Sequence, residues 1–174
     1  MKKTWYIVFI VLILIILALV MIFYTKASPD NFGKNHPIPD GLEYNLPVTG
    51  KSHKAPVDTL DSNSCLVLWN DIQGGVYKYD FFYGPLPAGD IFLKCFEATE
   101  NIPLSVKEIQ ERSKVQIDST ASFTQLVNKQ QFSIYEGDWE DYYAARIEVW
   151  FRDAATNQER KLVEKIYRVE GWMR

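Results

Sequence analysis

The chain holds 174 residues, 47% hydrophobic and 24% charged, with a formal net charge of −3 and an isoelectric point near 5.4. That length accommodates one domain of ordinary size with an appendage, and it excludes a TIM barrel or a large two-domain enzyme. No basic surplus is available to neutralise phosphates, so nucleic acid is not an expected partner.

The N-terminal end is the most distinctive segment. From Trp5 to Tyr24, twenty consecutive residues carry no charge and no amide, and the only hydroxyls are those of Tyr6 and Tyr24. As a helix, such a run spans about 30 Å, the thickness of a bilayer's hydrocarbon core. Trp5 and Tyr6 at one end and Phe23 and Tyr24 at the other suit the headgroup level. A secretory leader has a shorter apolar run followed by small residues, whereas Thr25-Lys26-Ala27 is a poor cleavage site. The expectation is an uncleaved signal anchor over 5–24. Lys2 and Lys3 lie directly against it, which predicts a cytoplasmic tail at 1–4 and a single pass through the cell (inner) membrane. Residues 25–174 are then extracytoplasmic.

Residues 25–60 read as an extracytoplasmic tether. They hold five of the eight prolines, Pro29, Pro37, Pro39, Pro47 and Pro56, and proline blocks helix interiors and central strands. Within this stretch Leu42, Tyr44 and Leu46 alternate, which fits an edge strand laid against the domain. His36 and His53, the only histidines of the chain, both fall in the tether and are expected to be solvated.

Residues 61–174 read as a β-rich globular domain. Cys65–Trp69 is a short apolar run, followed by turn residues Asn70, Asp71, Gly74 and Gly75. Val76–Tyr83 alternates cleanly and puts Tyr77, Tyr79, Phe81 and Tyr83 on one face, the face expected to fill the core. A Gly/Pro turn at 84–89 leads to a third strand, Ile91–Ala98. Ser105 and Glu108 stand at capping-box spacing before a short helix. Ser122–Gln131 is ambiguous between helix and strand, and Phe132–Tyr135 reads as a strand. Tyr142–Phe151 has a clean apolar face of Tyr143, Ala145, Ile147, Val149 and Phe151, with Arg146, Glu148, Trp150 and Arg152 on the other. Lys161–Val169 should return as its hairpin partner.

At least six short strands with one short helix predict a mainly β fold, an antiparallel two-sheet sandwich, with a small α+β domain as the alternative. The Gly137-Asp138 turn, the pair Tyr142-Tyr143 and the run Ala145-Arg146-Ile147-Glu148-Val149 are similar to the penultimate strand of immunoglobulin-like domains. The resemblance covers residues 137–149 and implies an immunoglobulin-like architecture.

The chemistry is chiefly informative by what it lacks. Residues 54–174 contain no histidine, which removes the base of a Ser-His-Asp or Cys-His site and makes a histidine-ligated zinc site implausible. Neither glycine cluster matches a nucleotide-binding motif, so no nucleotide and no cofactor are expected. Glu136, Asp138, Glu140 and Asp141 surround Trp139. Oxygen ligands of this kind suit calcium, and a carboxylate pair suits glycoside cleavage, but neither has its usual spacing. A solvated acidic turn without metal is the expectation. Cys65 and Cys95 each sit in a predicted strand, and the extracytoplasmic reading leaves two outcomes open, a disulfide or two buried thiols.

Trp139 and Trp150, set among Asp138, Glu140, Arg146 and Arg152, are the expected contact surface, apolar rings rimmed by charge. The functional expectation is a membrane-anchored, extracytoplasmic and non-enzymatic interaction module. Its partner would be a protein of the cell envelope, in an assembly role or as an immunity-type protein that neutralises a toxin. A carbohydrate-binding module is the alternative, and a carboxylate-dependent envelope hydrolase ranks below it.

Overall fold

The computed structural model describes residues 12–17, 30–49, 64–70, 73–122, 124–127 and 130–172. The chain divides into two compact units, Met1–Pro29 with Arg174, and Asp30–Met173. In the first unit residues 12–17 form helix α1, exposed throughout. Among the described residues no helix is long and apolar enough to cross a membrane. The remainder of the 5–24 run, on which the anchor expectation rests, lies outside the described residues.

The second unit is mainly β, with two antiparallel sheets and few helices. Its elements are α2 (Phe32–Asn35), β1 (Ser64–Trp69), β2 (Val76–Tyr83), β3 (Gly89–Glu97), α3 (Val106–Ser113), β4 (Val115–Ile117), β5 (Thr124–Val127), β6 (Phe132–Ser133), β7 (Tyr143–Asp153) and β8 (Glu159–Val169). One sheet runs β1-β2-β5 with β6 also on β2, and the other runs β4-β3-β7-β8.

Period-two alternation decides which side chains meet. Leu66 and Leu68 of β1 and Tyr77, Tyr79, Phe81 and Tyr83 of β2 enter one core with Ile91, Leu93 and Cys95 of β3. From the second sheet, Tyr143, Ala145, Ile147, Val149 and Phe151 of β7 and Tyr167 and Val169 of β8 enter the same core. Tyrosine is costly to bury unless its hydroxyl finds a partner. Here Tyr77 donates to the Glu170 carbonyl at 3.2 Å, Tyr79 to the Ser113 carbonyl at 2.7 Å and Tyr143 to the Glu136 carbonyl at 2.8 Å. The tyrosine stripe therefore fills the core and ties its edges to neighbouring loops.

The two cysteines are free and buried, and the pairing alternative does not hold. Odd and even residues of a strand point to opposite sides of its sheet. Cys95 points into the shared core, whereas Cys65 joins Val67, Trp69, Phe82 and Val48 in a separate cluster. The first sheet stands between the two thiols. Burial pushes the Cys95 thiol well above its ordinary range, and Lys165 Nζ lies 3.5 Å from Cys65 Sγ.

Within the stretch read as a tether, residues 30–49 lie against the domain, and Asn45 and Val48 make the edge pairing that the alternation of Leu42, Tyr44 and Leu46 suggested. The Asn45 amide donates to the Ile166 carbonyl at 2.8 Å, and the Arg168 amide donates back to Asn45 at 3.0 Å. Three residues on, Val48 donates to the Leu68 carbonyl at 2.8 Å and accepts from the Asn70 amide at 3.0 Å. One short strap thus pairs with the edge of each sheet, β8 at Asn45 and β1 at Val48. His36 belongs to this docked segment as well: its ring lies 4.3 Å from that of Phe32, and its Nδ1 is 2.8 Å from the Phe32 carbonyl. It is half-buried, not solvated. His53 and residues 50–60 lie outside the described residues.

The expected capping box at Ser105 is replaced by a longer-range version. Ser105 has φ 38°, and its side chain makes no cap bond to its own helix. Glu136 takes the role expected of Glu108, accepting from the Ser105 amide at 2.8 Å and from its hydroxyl at 2.6 Å. Glu108 pairs with Arg112 one turn on instead, at 3.7 Å.

Candidate functional site

The turn from Glu136 to Tyr142 is pinned on every side. The Gly137 amide donates to Asp30 Oδ2 at 3.0 Å, and Asp141 Oδ2 accepts from the Lys34 amide at 3.2 Å. Asp138 Oδ1 accepts from the Trp139 amide at 2.8 Å, and the Glu140 amide donates to Glu170 Oε2 at 2.7 Å. Glu140 sits at φ 61°, a left-handed backbone that a residue with a Cβ adopts at a cost of about 1 kcal/mol. The hydrogen bond to Glu170 helps hold it there. Three of the four carboxylates expected to form a solvated acidic turn, those of Glu136, Asp138 and Asp141, are instead engaged with backbone amides. Among the described residues no group of side chains could hold a metal ion.

Trp139 stands out of this rigid turn, 58% exposed. Beside it, Gln73, Gly74 and Trp172 complete a hollow of about 230 Å³. Gln73 and Gly74 also border a second hollow of about 540 Å³, whose far side is formed by the strap at Leu46 and Pro47, by Asn70, and by Arg168 and Glu170. Gly75, at φ 74°, brings the chain before β2 against the segment that follows β8: a Cβ built on it would lie 2.2 Å from the Trp172 nitrogen. No other residue fits both that backbone and that approach. The Arg168 guanidinium lies over the Tyr142 ring at 4.4 Å, and Tyr142 is itself exposed.

The other predicted contact residues lie elsewhere. Trp150, Arg146 and Arg152 are on the outer face of the β4-β3-β7-β8 sheet, and Trp150 is separated from the start of β7 by about 23 Å of strand. Trp150 is half-buried in a charge network. Its Nε1 donates to Glu148 Oε2 at 2.8 Å, and Lys94 Nζ sits 3.8 Å from its ring centre. Glu148 also accepts from Arg146 Nε at 3.0 Å and Lys161 Nζ at 3.3 Å. Glu148 and Glu164 face each other across β7 and β8, and Lys161 bridges them, 2.6 Å from Glu164. Burial alone would push the Glu148 carboxyl up, but the hydrogen bonds from Trp150, Arg146 and Lys161 outweigh it and hold the group below its ordinary value. Arg152 pairs with Glu159 at 2.6 Å and Lys94 pairs with Glu159 at 3.0 Å.

The sequence-predicted site therefore divides in two. Trp139, Asp138 and Glu140 share the pinned turn; Trp150, Arg146 and Arg152 belong to a charge network on the outer face of the second sheet. Sequence reasoning missed Gln73, Gly74, Arg168, Glu170 and Trp172. The Gly74-Gly75 pair was legible as a turn, but nothing local marks Gly74 as part of the wall between two hollows. Compared with known proteins, the chain matches no family model, no curated protein and no solved structure.

Proposed function

We propose that this chain is a single-pass, membrane-anchored module whose extracytoplasmic domain binds an envelope component without catalysing a reaction. The single observation that carries the reading is Trp139, a large apolar ring held 58% exposed on a turn that is pinned on every side. A ring presented on a rigid support loses little freedom on binding, which is how aromatic anchors contribute most. The engagement of Glu136, Asp138 and Asp141 with the backbone supports the non-enzymatic half of the reading. The membrane half rests on the uncharged run 5–24.

We read the two sheets as a sandwich of immunoglobulin-like architecture. The strand orders support this, because β7, the penultimate strand, lies between β3 and the last strand, β8, while β1, β2 and β5 form the facing sheet. The Tyr143 hydroxyl bonding back to the Glu136 carbonyl supports the same reading, since such domains place a tyrosine corner at the start of that strand. Fold alone does not assign a function, so the proposal stands on Trp139 and the turn that presents it.

The test is capture in the native envelope. A photoreactive residue at Gln73 of the full chain should yield a crosslinked species that Trp139→Ala abolishes and Trp150→Ala spares. Capture unaffected by Trp139→Ala overturns the binding surface. Hydrolysis of an envelope polymer, abolished by Asp138→Asn or Glu140→Gln, overturns the non-enzymatic reading. A phosphatase reporter fused after Arg174 that stays inactive overturns the topology.

A further inference from the structure

The end of the domain opposite Trp139 carries a hollow of about 320 Å³, between the end of β2 and the start of β8. Tyr83, Pro85, Leu86, Arg160, Lys161 and Leu162 line it. Arg160 pairs with Phe151, which lies eight residues along β7 from Tyr143. About 26 Å of strand therefore separates this hollow from the turn of Trp139.

Tyr83 is the anomaly there. It is 3% exposed, and its ring stacks on that of Phe81 at 5.4 Å. The other buried tyrosines, Tyr77, Tyr79, Tyr143 and Tyr167, each donate to a backbone carbonyl. Among the described residues the Tyr83 hydroxyl has no hydrogen-bond partner. No side-chain polar atom of those residues is both sealed from solvent and unpaired, so this hydroxyl is reached from the hollow that Tyr83 lines. An open donor on so buried a side chain marks a place where the fold leaves a partner to be supplied. Burial also pushes the phenol up, which keeps it a neutral donor.

Arg160 supplies the charge. Its guanidinium lies over the Phe151 ring at 5.7 Å and, among the described residues, makes no hydrogen bond or ion pair. Asp153 feels that charge, but its Oδ1 is engaged with the Ala155 and Thr156 amides at 2.8 and 2.9 Å. Lys161 is already held, 3.3 Å from Glu148 and 2.6 Å from Glu164. The described lining contains no carboxylate.

We propose that this hollow binds a monocarboxylate with an apolar substituent, its carboxylate held by the Arg160 guanidinium and the Tyr83 hydroxyl. One uncommitted cation matches one negative charge. A phosphate monoester carries up to about two, and would have to draw Lys161 away from both glutamates. The planar fork of a guanidinium suits the paired oxygens of a carboxylate. Pro85, Leu86 and Leu162 give the substituent an apolar wall, and the volume suits a small acid or the end of a chain. A free acid and the C-terminal carboxylate of a polypeptide ending in an apolar residue share this chemistry.

Calorimetric titration of the full-length chain in nanodiscs of zwitterionic lipid tests the site. The probes are hexanoate, hexanamide, hexyl phosphate and the acetylated tripeptide Ala-Ala-Leu. Hexanoate or the tripeptide should bind with a Kd of about 1 mM or tighter, and the tighter of the two names the source as a free acid or a chain terminus. Hexanamide keeps the shape without the charge and should bind about tenfold more weakly or worse. Arg160→Gln and Tyr83→Phe should each weaken binding by about tenfold or more. Tyr83→Phe should melt no lower than the parent, because its hydroxyl makes no bond within the fold. If Tyr83→Phe does not fold, Arg160→Gln, at an exposed position, decides. Absence of binding to both carboxylates overturns the proposal, and so does binding that Arg160→Gln or Tyr83→Phe leaves unchanged. Tighter binding of hexyl phosphate than of hexanoate overturns the carboxylate assignment.

Discussion

The hydroxyl of Tyr167 on β8 donates to the carbonyl of Leu66 on β1 at 2.9 Å, joining the edge strand of one sheet to the edge strand of the other. The same oxygen accepts from the Leu68 amide at 3.3 Å. All three residues are buried, so water cannot replace these bonds. Tyr167→Phe keeps the ring and orphans a carbonyl and an amide together, at an expected cost of about 1–3 kcal/mol. Denaturant unfolding of the full-length variant measures it; a change below about 0.5 kcal/mol would show that the sheets do not depend on this junction.

Gly33 tests the docking of the N-terminal segment. A Cβ built there would lie 2.5 Å from the Asp141 carbonyl oxygen, a backbone atom that cannot swing aside. Gly33→Ala is expected to lower stability by about 1–3 kcal/mol, as overpacking does in cores. A loose tether would tolerate the change, so an unaltered thermal midpoint would contradict the docked geometry.

Trp150 and Trp139 should respond in opposite ways. Trp150→Ala removes the ring beneath Lys94 and the donor to Glu148, and is expected to cost about 2 kcal/mol of stability, less than the ~3–5 of a fully buried aromatic. Trp139→Ala should stay within about 0.5 kcal/mol of the parent, because its ring is exposed. Paired unfolding curves separate them, and a larger loss for Trp139 would reverse the assignment of roles.

Acid should weaken the outer-face lattice. The Glu148 and Glu159 carboxyls are both held below their ordinary value: Glu148 because its hydrogen bonds outweigh burial, Glu159 chiefly by the hydrogen bonds from Arg152 and Lys94. A depressed folded value means that the unfolded chain takes up protons first. The stability these groups contribute is therefore full above about pH 4.3 and is lost as pH falls below it through the folded values. In melts between neutral pH and pH 3, Glu148→Gln should be less stable at neutral pH, with the gap narrowing in acid. A constant gap would remove Glu148 from the account.

Thiol chemistry gives a further check. Iodoacetamide should leave Cys65 and Cys95 unlabelled in the native chain, since both are buried and thiol reactivity follows access and thiolate character. Denaturation without reductant should expose both to labelling. Fewer than two labelled thiols would mean a bond that the fold does not provide.

What was legible in the sequence is what local periodicity encodes. The alternation from Val76 to Tyr83 returned β2 with its boundaries and its core face, because aromatic rings at every second position leave a strand no other way to bury them. The same held for the inward face of β7 and its hairpin partner β8. The features that escaped depend on contacts distant along the chain. Asp30 meets Gly137 across 107 positions, and Lys34 meets Asp141 across the same span. Proline content reads as a tether when such partners are out of view. The Ser105 cap failed for a related reason, since Glu136, 31 residues on, outcompetes Glu108. The polar side of β7 was assigned correctly for Trp150, but Lys94, which covers it, arrives from β3. Of the residues around the two hollows, only Trp139 was singled out by its local sequence, because the rest comes from three separate stretches.

The bonds from Gly137 to Asp30 and from Asp141 to Lys34 also set how the domain carries load. Tension applied along the chain at Asp30 meets the turn of Trp139 before it reaches any strand, and under the proposed function a partner bound at Trp139 would pull against that same turn. The two forces oppose each other across a few hydrogen bonds at one end of the molecule. The ladders of β3, β7 and β8 lie outside that line, so a pull between Asp30 and Trp139 falls on the turn and not on the pairing of the sheets.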